Sequence, residues 1–237
     1  MLERVTGWGP TRSLLWLACP CLLACQTWDP DRDGVPRLAQ ALPVDVAVLA
    51  KVSRFRSGAG HDFSDGVETC RSMKHYFWPK GGWPGAAHDP SWATIEVRAP
   101  LAGRITRADA ERSADSGLQL YLESAENPAF TVRLFHVTPE PGIAAGAEVE
   151  AGALLGHNKA DSTYTDVAVE VNRAFGVRLV SFVELLTDEA FAPLQARGVA
   201  DRQALLISRE ERDAAPLQCD GETFLQSESL GDWVELR

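Results

Sequence analysis

The chain has 237 residues, with 33 acidic side chains against 23 basic ones and a net charge of −10. That balance argues against a nucleic-acid partner, because neutralising phosphates needs a basic surface, and against electrostatic docking on anionic lipid. The length suffices for one domain with a sizeable core, or one domain with an extension, and the composition is ordinary for a globular protein.

Arg4 and Arg12 precede an apolar run from Leu14 to Ala24. The run is shorter than the roughly 20 residues a membrane-spanning helix needs and suits the apolar region of a secretory signal, residues 1–24. Its end, Leu22-Leu23-Ala24-Cys25, resembles a bacterial lipobox, which implies lipidation of Cys25 as the first residue of the mature chain. The alternatives are an ordinary cleaved signal or a buried start that is never cleaved. Gln26, in place of an Asp, implies sorting to the periplasmic face of the outer membrane. Residues 25–43 are polar and carry Pro30, Gly34 and Pro36, the composition of a tether. Val44 to Val52 is an apolar stretch, strand or short helix, that opens the folded domain.

The densest chemistry follows. His61 and Asp65 lie four apart on irregular, glycine-flanked backbone, where imidazole and carboxylate can converge on one metal ion. The same two groups can equally hydrogen-bond their loop to itself. From Ile95 to Val171 short alternations recur: Ile95/Val97, Leu118/Leu120/Leu122, Val132/Leu134 and Val167/Val169/Val171. Period-two alternation marks half-buried strands. Gly146-Ala-Glu-Val149-Glu-Ala-Gly152-Ala-Leu-Leu155-Gly156 turns sharply at its glycines and aims Val149 and Leu155 into one core. The expectation is a mainly β chain with an α extension: a small antiparallel sheet or barrel-sandwich hybrid over 44–175, then C-terminal helices over 176–237.

The order of these features resembles the lysostaphin-type, LytM-like zinc peptidases that cut peptidoglycan. His61 and Asp65 match the family's first two zinc ligands. Ala99-Pro100-Leu-Ala-Gly103-Arg-Ile105 matches its Ala-Pro-x-x-Gly-x-Val strand and turn. Leu134-Phe135-His136-Val137 places His136 at a catalytic histidine, and Gly146 to Gly156 matches the paired-glycine turn. The resemblance covers about His61 to Val171. Its last element departs: in Thr165-Asp166-Val167-Ala168-Val169-Glu170-Val171, Asp166 stands at a catalytic histidine and Ala168 at the third zinc ligand. A methyl group cannot bind a metal, and a catalytic zinc needs three protein ligands. Asp166 as general base is a far weaker base than histidine near neutral pH. A second departure is a long insertion, residues 66–94, rich in Tyr76, Phe77, Trp78, Trp83 and Trp92, whose Glu68 or His75 offers a substitute ligand. Its aromatic faces suit sugar or peptide contact, or else a local core.

Cys70 and Cys219 remain once the signal and the lipidation site are set aside. An even pair in an exported chain suggests one disulfide, with two free thiols as the alternative. Ser181-Phe-Val-Glu184 and Ser208-Arg-Glu-Glu211 read as helix capping boxes, the first opening an apolar face from Phe182 to Leu194. Two functions follow. One is an envelope lipoprotein with a degenerate LytM-like domain that binds peptidoglycan or an envelope protein without hydrolysis. The other is a divergent zinc-dependent peptidoglycan endopeptidase, completed by Asp166, His136 or a residue of the insertion.

Overall fold

The computed structural model describes residues 27–81, 93–110, 117–159, 165–226 and 230–237. Cys25 and the signal, and the insertion residues Trp83, His88 and Trp92, lie outside them. Thirteen strands are described: β1 Leu49–Ser53, β2 His75–Pro79, β3 Glu96–Arg98, β4 Gly103–Ala110, β5 Leu118–Ser124, β6 Phe130–Pro139, β7 Glu148–Val149, β8 Leu154–Asn158, β9 Asp166–Asn172, β10 Val177–Val180, β11 Cys219–Asp220, β12 Thr223–Phe224 and β13 Trp233–Glu235. Eleven form one antiparallel sheet in the order β13-β1-β2-β9-β6-β5-β4-β7, with β10 on β9, β8 on β6 and β3 on β8. The sheet does not close into a barrel.

The expected alternations are the strands of the core. Leu120, Leu122, Val132, Leu134, Val167, Val169 and Val171 are fully buried on one face of β5, β6 and β9. Leu155 joins the same core, and Val149 packs against it at the edge. Gly156 is required by close approach: a β-carbon there would stand 2.2 Å from the Thr138 carbonyl oxygen. Gly152, at φ +80°, supplies a turn instead.

Three features differ from the sequence reading. The stretch 25–43, expected as a tether, is laid along the domain from Trp28 onward. Trp28 donates its backbone N–H to Asn172 and packs edge-on against Phe130, and Ala39 is fully buried with its N–H bonded to Leu185. Apolar side chains at Trp28, Val35, Leu38 and Ala39 give this segment enough buried surface to stay down. The insertion 66–94 is not wholly a loop, since its His75–Pro79 becomes β2, a central strand between β1 and β9. The apolar face from Phe182 to Leu194 breaks into two helices, Phe182–Leu185 and Asp188–Ala196, with Leu186 extended between them and Thr187 capping the second. Ser181 makes no cap, because its hydroxyl is bonded to His75 Nε2 at 2.8 Å. The second capping box, Ser208 with Glu211, forms as expected at the start of the helix Arg209–Ala214. The tail returns as β13 on β1, and Cys70 and Cys219 form a disulfide.

Candidate functional site

The side chains gather where β2, β6 and β9 meet, on the sheet face opposite the core. Asp166 opens β9 and pairs in register with Tyr76 of β2. Strand alternation puts Asp166, Ala168 and Glu170 on this face, with Val167, Val169 and Val171 on the other. β6 pairs with β9 up to Leu134 and with β8 from Val137 onward. The change of partner falls at His136, whose φ of 59° is left-handed and costly for a side chain other than glycine. This kink brings His136 Nε2 to 3.2 Å from Asp166 Oδ1.

The centre of the cluster is Lys74, just before β2. Its Nζ donates to Asp166 Oδ2 at 2.6 Å and to His61 Nε2 at 3.2 Å. The His61 Nδ1–H donates to the Asp62 carbonyl, which leaves Nε2 free to accept. The ammonium also lies 4.2 Å from the ring centre of Phe135, 4.7 Å from Phe63 and 5.2 Å from Tyr76. The side chain of Lys74 is 3% exposed and that of Asp166 is not exposed. One carboxylate, one imidazole and three aromatic faces thus surround one buried cation.

Electrostatics follow from this burial. Burial alone would raise the Asp166 carboxyl, but Lys74 and then His136 overcome it and hold the group down at about 2. Burial, and then the Lys74 charge, lower His61. Burial raises the Tyr76 phenol, and the Asp166 carboxylate adds to the rise. At neutral pH the centre is therefore an ammonium–carboxylate pair beside a neutral His61.

The residues expected in one site part company. His61, His136 and Asp166 come together. Asp65 does not join them: its Oδ1 accepts the backbone N–H groups of Val67 and Glu68, and its Oδ2 accepts that of Leu179 and faces Arg178 Nε at 3.3 Å. Glu68 is bonded to Arg56 at 2.7 and 2.9 Å and to Arg71 at 2.9 Å. Burial opposes its charge, yet the arginines keep it ionised, with its carboxyl below its ordinary value. His75 is fully buried, donating from Nδ1 to the Ser53 carbonyl and accepting the Ser181 hydroxyl at Nε2. Both nitrogens are committed to the fold. Ala168 lies opposite Arg133 in the β6–β9 register, and the guanidinium spans to Glu170 at 2.6 Å and Gln119 at 2.5 Å.

Lys74 is the residue that the sequence reading missed. Its signal was a lone lysine inside the aromatic run Met73-Lys74-His75-Tyr76-Phe77-Trp78, where a central strand leaves an ammonium no route to water.

Zinc, the ion the LytM resemblance implies, does not fit this donor set. His61 Nε2 and Asp166 Oδ2 both receive the Lys74 ammonium, Ala168 offers no donor, and Asp65 is turned to Arg178. Among the described residues no group of three or more His, Cys, Asp or Glu side chains is arranged to hold a metal ion.

No protein-family model and no curated protein sequence matches the chain. Several solved structures resemble it. Lysostaphin from Staphylococcus simulans is 15% identical over 45% of this chain and 44% of its own, with a TM-score of 0.32. A zinc containing peptidase from Vibrio cholerae is 17% identical over 65% of this chain and 41% of its own, with a TM-score of 0.39. In the SpoIIQ–SpoIIIAH pore forming complex the matched chain is 11% identical over 69% of this chain and 99% of its own, with a TM-score of 0.40. The match takes in less than half the length of lysostaphin and of the Vibrio peptidase. These are likenesses of fold alone.

Proposed function

We propose that this chain is a lipid-anchored envelope protein, built on a LytM-like domain that binds or regulates at the cell wall without hydrolysing it. The observation that carries this reading is Lys74. Its ammonium is held between His61 and Asp166, two of the side chains that would otherwise be free to take a divalent ion. A fixed positive charge satisfies the buried carboxylate, as a metal would, but it has no open coordination position for a water or a substrate carbonyl. Cys25, through the lipobox resemblance, supplies the anchor, and peptidoglycan or an envelope protein is the partner.

The test is co-sedimentation of the full mature chain with purified insoluble peptidoglycan, followed by analysis of the supernatant. Retention on the pellet with no release of soluble fragments supports the reading. Release of fragments that stops in a His136→Ala variant sinks it in favour of the zinc endopeptidase. That alternative rests on one observation, the convergence of His61, His136 and Asp166.

A further inference from the structure

We infer that the β9–β10 hairpin tip, with Phe175, is a second contact with the bilayer that carries the lipid anchor; the inference rests on lipidation of Cys25. The tip is the four-residue turn Arg173-Ala174-Phe175-Gly176, closed by the Arg173 N–H on the Gly176 carbonyl and flanked by the Asn172–Val177 pair. Phe175 is 94% exposed and Val177 40%. They are two of only four exposed large apolar side chains among the described residues, and they lie at one end of the same hairpin.

The position of the anchor decides what this turn faces. The Trp28 N–H is bonded to the Asn172 carbonyl at 3.0 Å, so the mature chain begins its course over the domain at the base of this hairpin. Cys25 is three residues earlier, and three residues span at most about 11 Å. A lipid on Cys25 therefore brings the membrane surface to the hairpin tip. Two pairs of charges around it are closed on each other, Arg173 with Asp29 at 3.0 Å and Arg32 with Asp33 at 2.6 Å, while Asp31 lies 3.7 Å from Arg178, which also faces Asp65 and Glu68. A collar of paired charges below an exposed phenyl ring suits a zwitterionic interface, and the chain's net charge of −10 disfavours an anionic one.

The orientation has a consequence for the site. Asp166 and Asn172 are opposite ends of β9, about 20 Å apart at the rise of a strand. Docking the hairpin end therefore turns the Lys74 cluster away from the bilayer.

The experiment uses the full-length chain, processed in a Gram-negative host, purified in detergent and reconstituted into phosphatidylcholine vesicles. A nitroxide is attached through Ala174→Cys, and its accessibility to oxygen and to a water-soluble nickel chelate is compared with and without Phe175→Ser. Intact-mass measurement reports acylation of Cys25 in the same samples. With Cys25 acylated, the label reports a lipid environment, and Phe175→Ser lowers the ratio of inserted to free tip about tenfold or more, the partition of one phenyl ring. A water-exposed label on an acylated chain overturns the inference and leaves the anchor standing, as does a label shielded only when envelope proteins are added. An unacylated Cys25 overturns the anchor, and the inference with it.

Discussion

Replacing Lys74 by Met removes the ammonium from a carboxylate that has no exposure to water. Breaking a buried ion pair from one side costs about 3–5 kcal/mol, because the remaining charge is left without a partner in a poor solvent. His136 stays 3.2 Å from Asp166 Oδ1, so the carboxylate keeps one polar neighbour and the expected loss at pH 7 is at the lower end, about 3 kcal/mol. The pH dependence follows from Asp166. In the wild type its carboxyl is held at about 2, below its unfolded value, so its contribution is present above that unfolded value and is lost as pH falls towards 2. Without Lys74, burial pushes the carboxyl above its unfolded value. The native variant then takes up a proton before the unfolded chain does, and the gap from wild type narrows as pH falls from 7 towards 4. The double variant Lys74→Met/Asp166→Leu removes both charges and should recover most of the loss. The assay is urea unfolding of the three chains at pH 7 and pH 4. A single variant within about 1 kcal/mol of wild type at pH 7 would refute the idea that the pair is buried and coupled.

Further outcomes are expected elsewhere. His75 is lowered from 6.5 to about 4 by burial, so its contribution is complete above pH 6.5 and is lost between there and pH 4, worth about 3 kcal/mol, and a His75→Gln variant should flatten that part of the wild-type profile in urea unfolding. Reducing the Cys70–Cys219 disulfide opens a loop of 149 residues and should cost about 5 kcal/mol in the chain-entropy model, whereas a melting temperature indifferent to reductant would contradict that. Gly156→Ala forces a β-carbon against the Thr138 carbonyl and should cost about 1–3 kcal/mol or more. Gly152→Ala meets nothing within 4 Å and should cost about 1 kcal/mol, from its positive φ, so equal losses in thermal melts would contradict the distinction.

What the sequence revealed was set by period and by glycine. Val167, Val169 and Val171 alternate because one face of β9 is core, and Gly156 is glycine because backbone packs on it. Both are local pressures that leave local marks. The even cysteine pair was legible for the same reason of simple arithmetic. Lys74 was not, because its meaning is set by Asp166, 92 residues away, and by rings from Phe63 and Phe135. Ser181 and Glu184 had the spacing of a capping box, but a distant partner, His75, took the Ser181 hydroxyl. Asp65 had the spacing of a ligand, and Arg178 lay beyond any pattern around it. The polar 25–43 segment was read by composition, although a few apolar side chains, Leu38 among them, were enough to lay it on the domain.

A lysine ammonium fills the space between His61 and Asp166, where a shared metal ion would have to sit. Elemental analysis of the mature chain, purified without chelator after growth in zinc-supplemented medium, tests it most directly. The expected result is a folded protein with no bound zinc, and no change in metal content in a His61→Ala variant. Near one zinc per chain, lost on replacing His61, would contradict it.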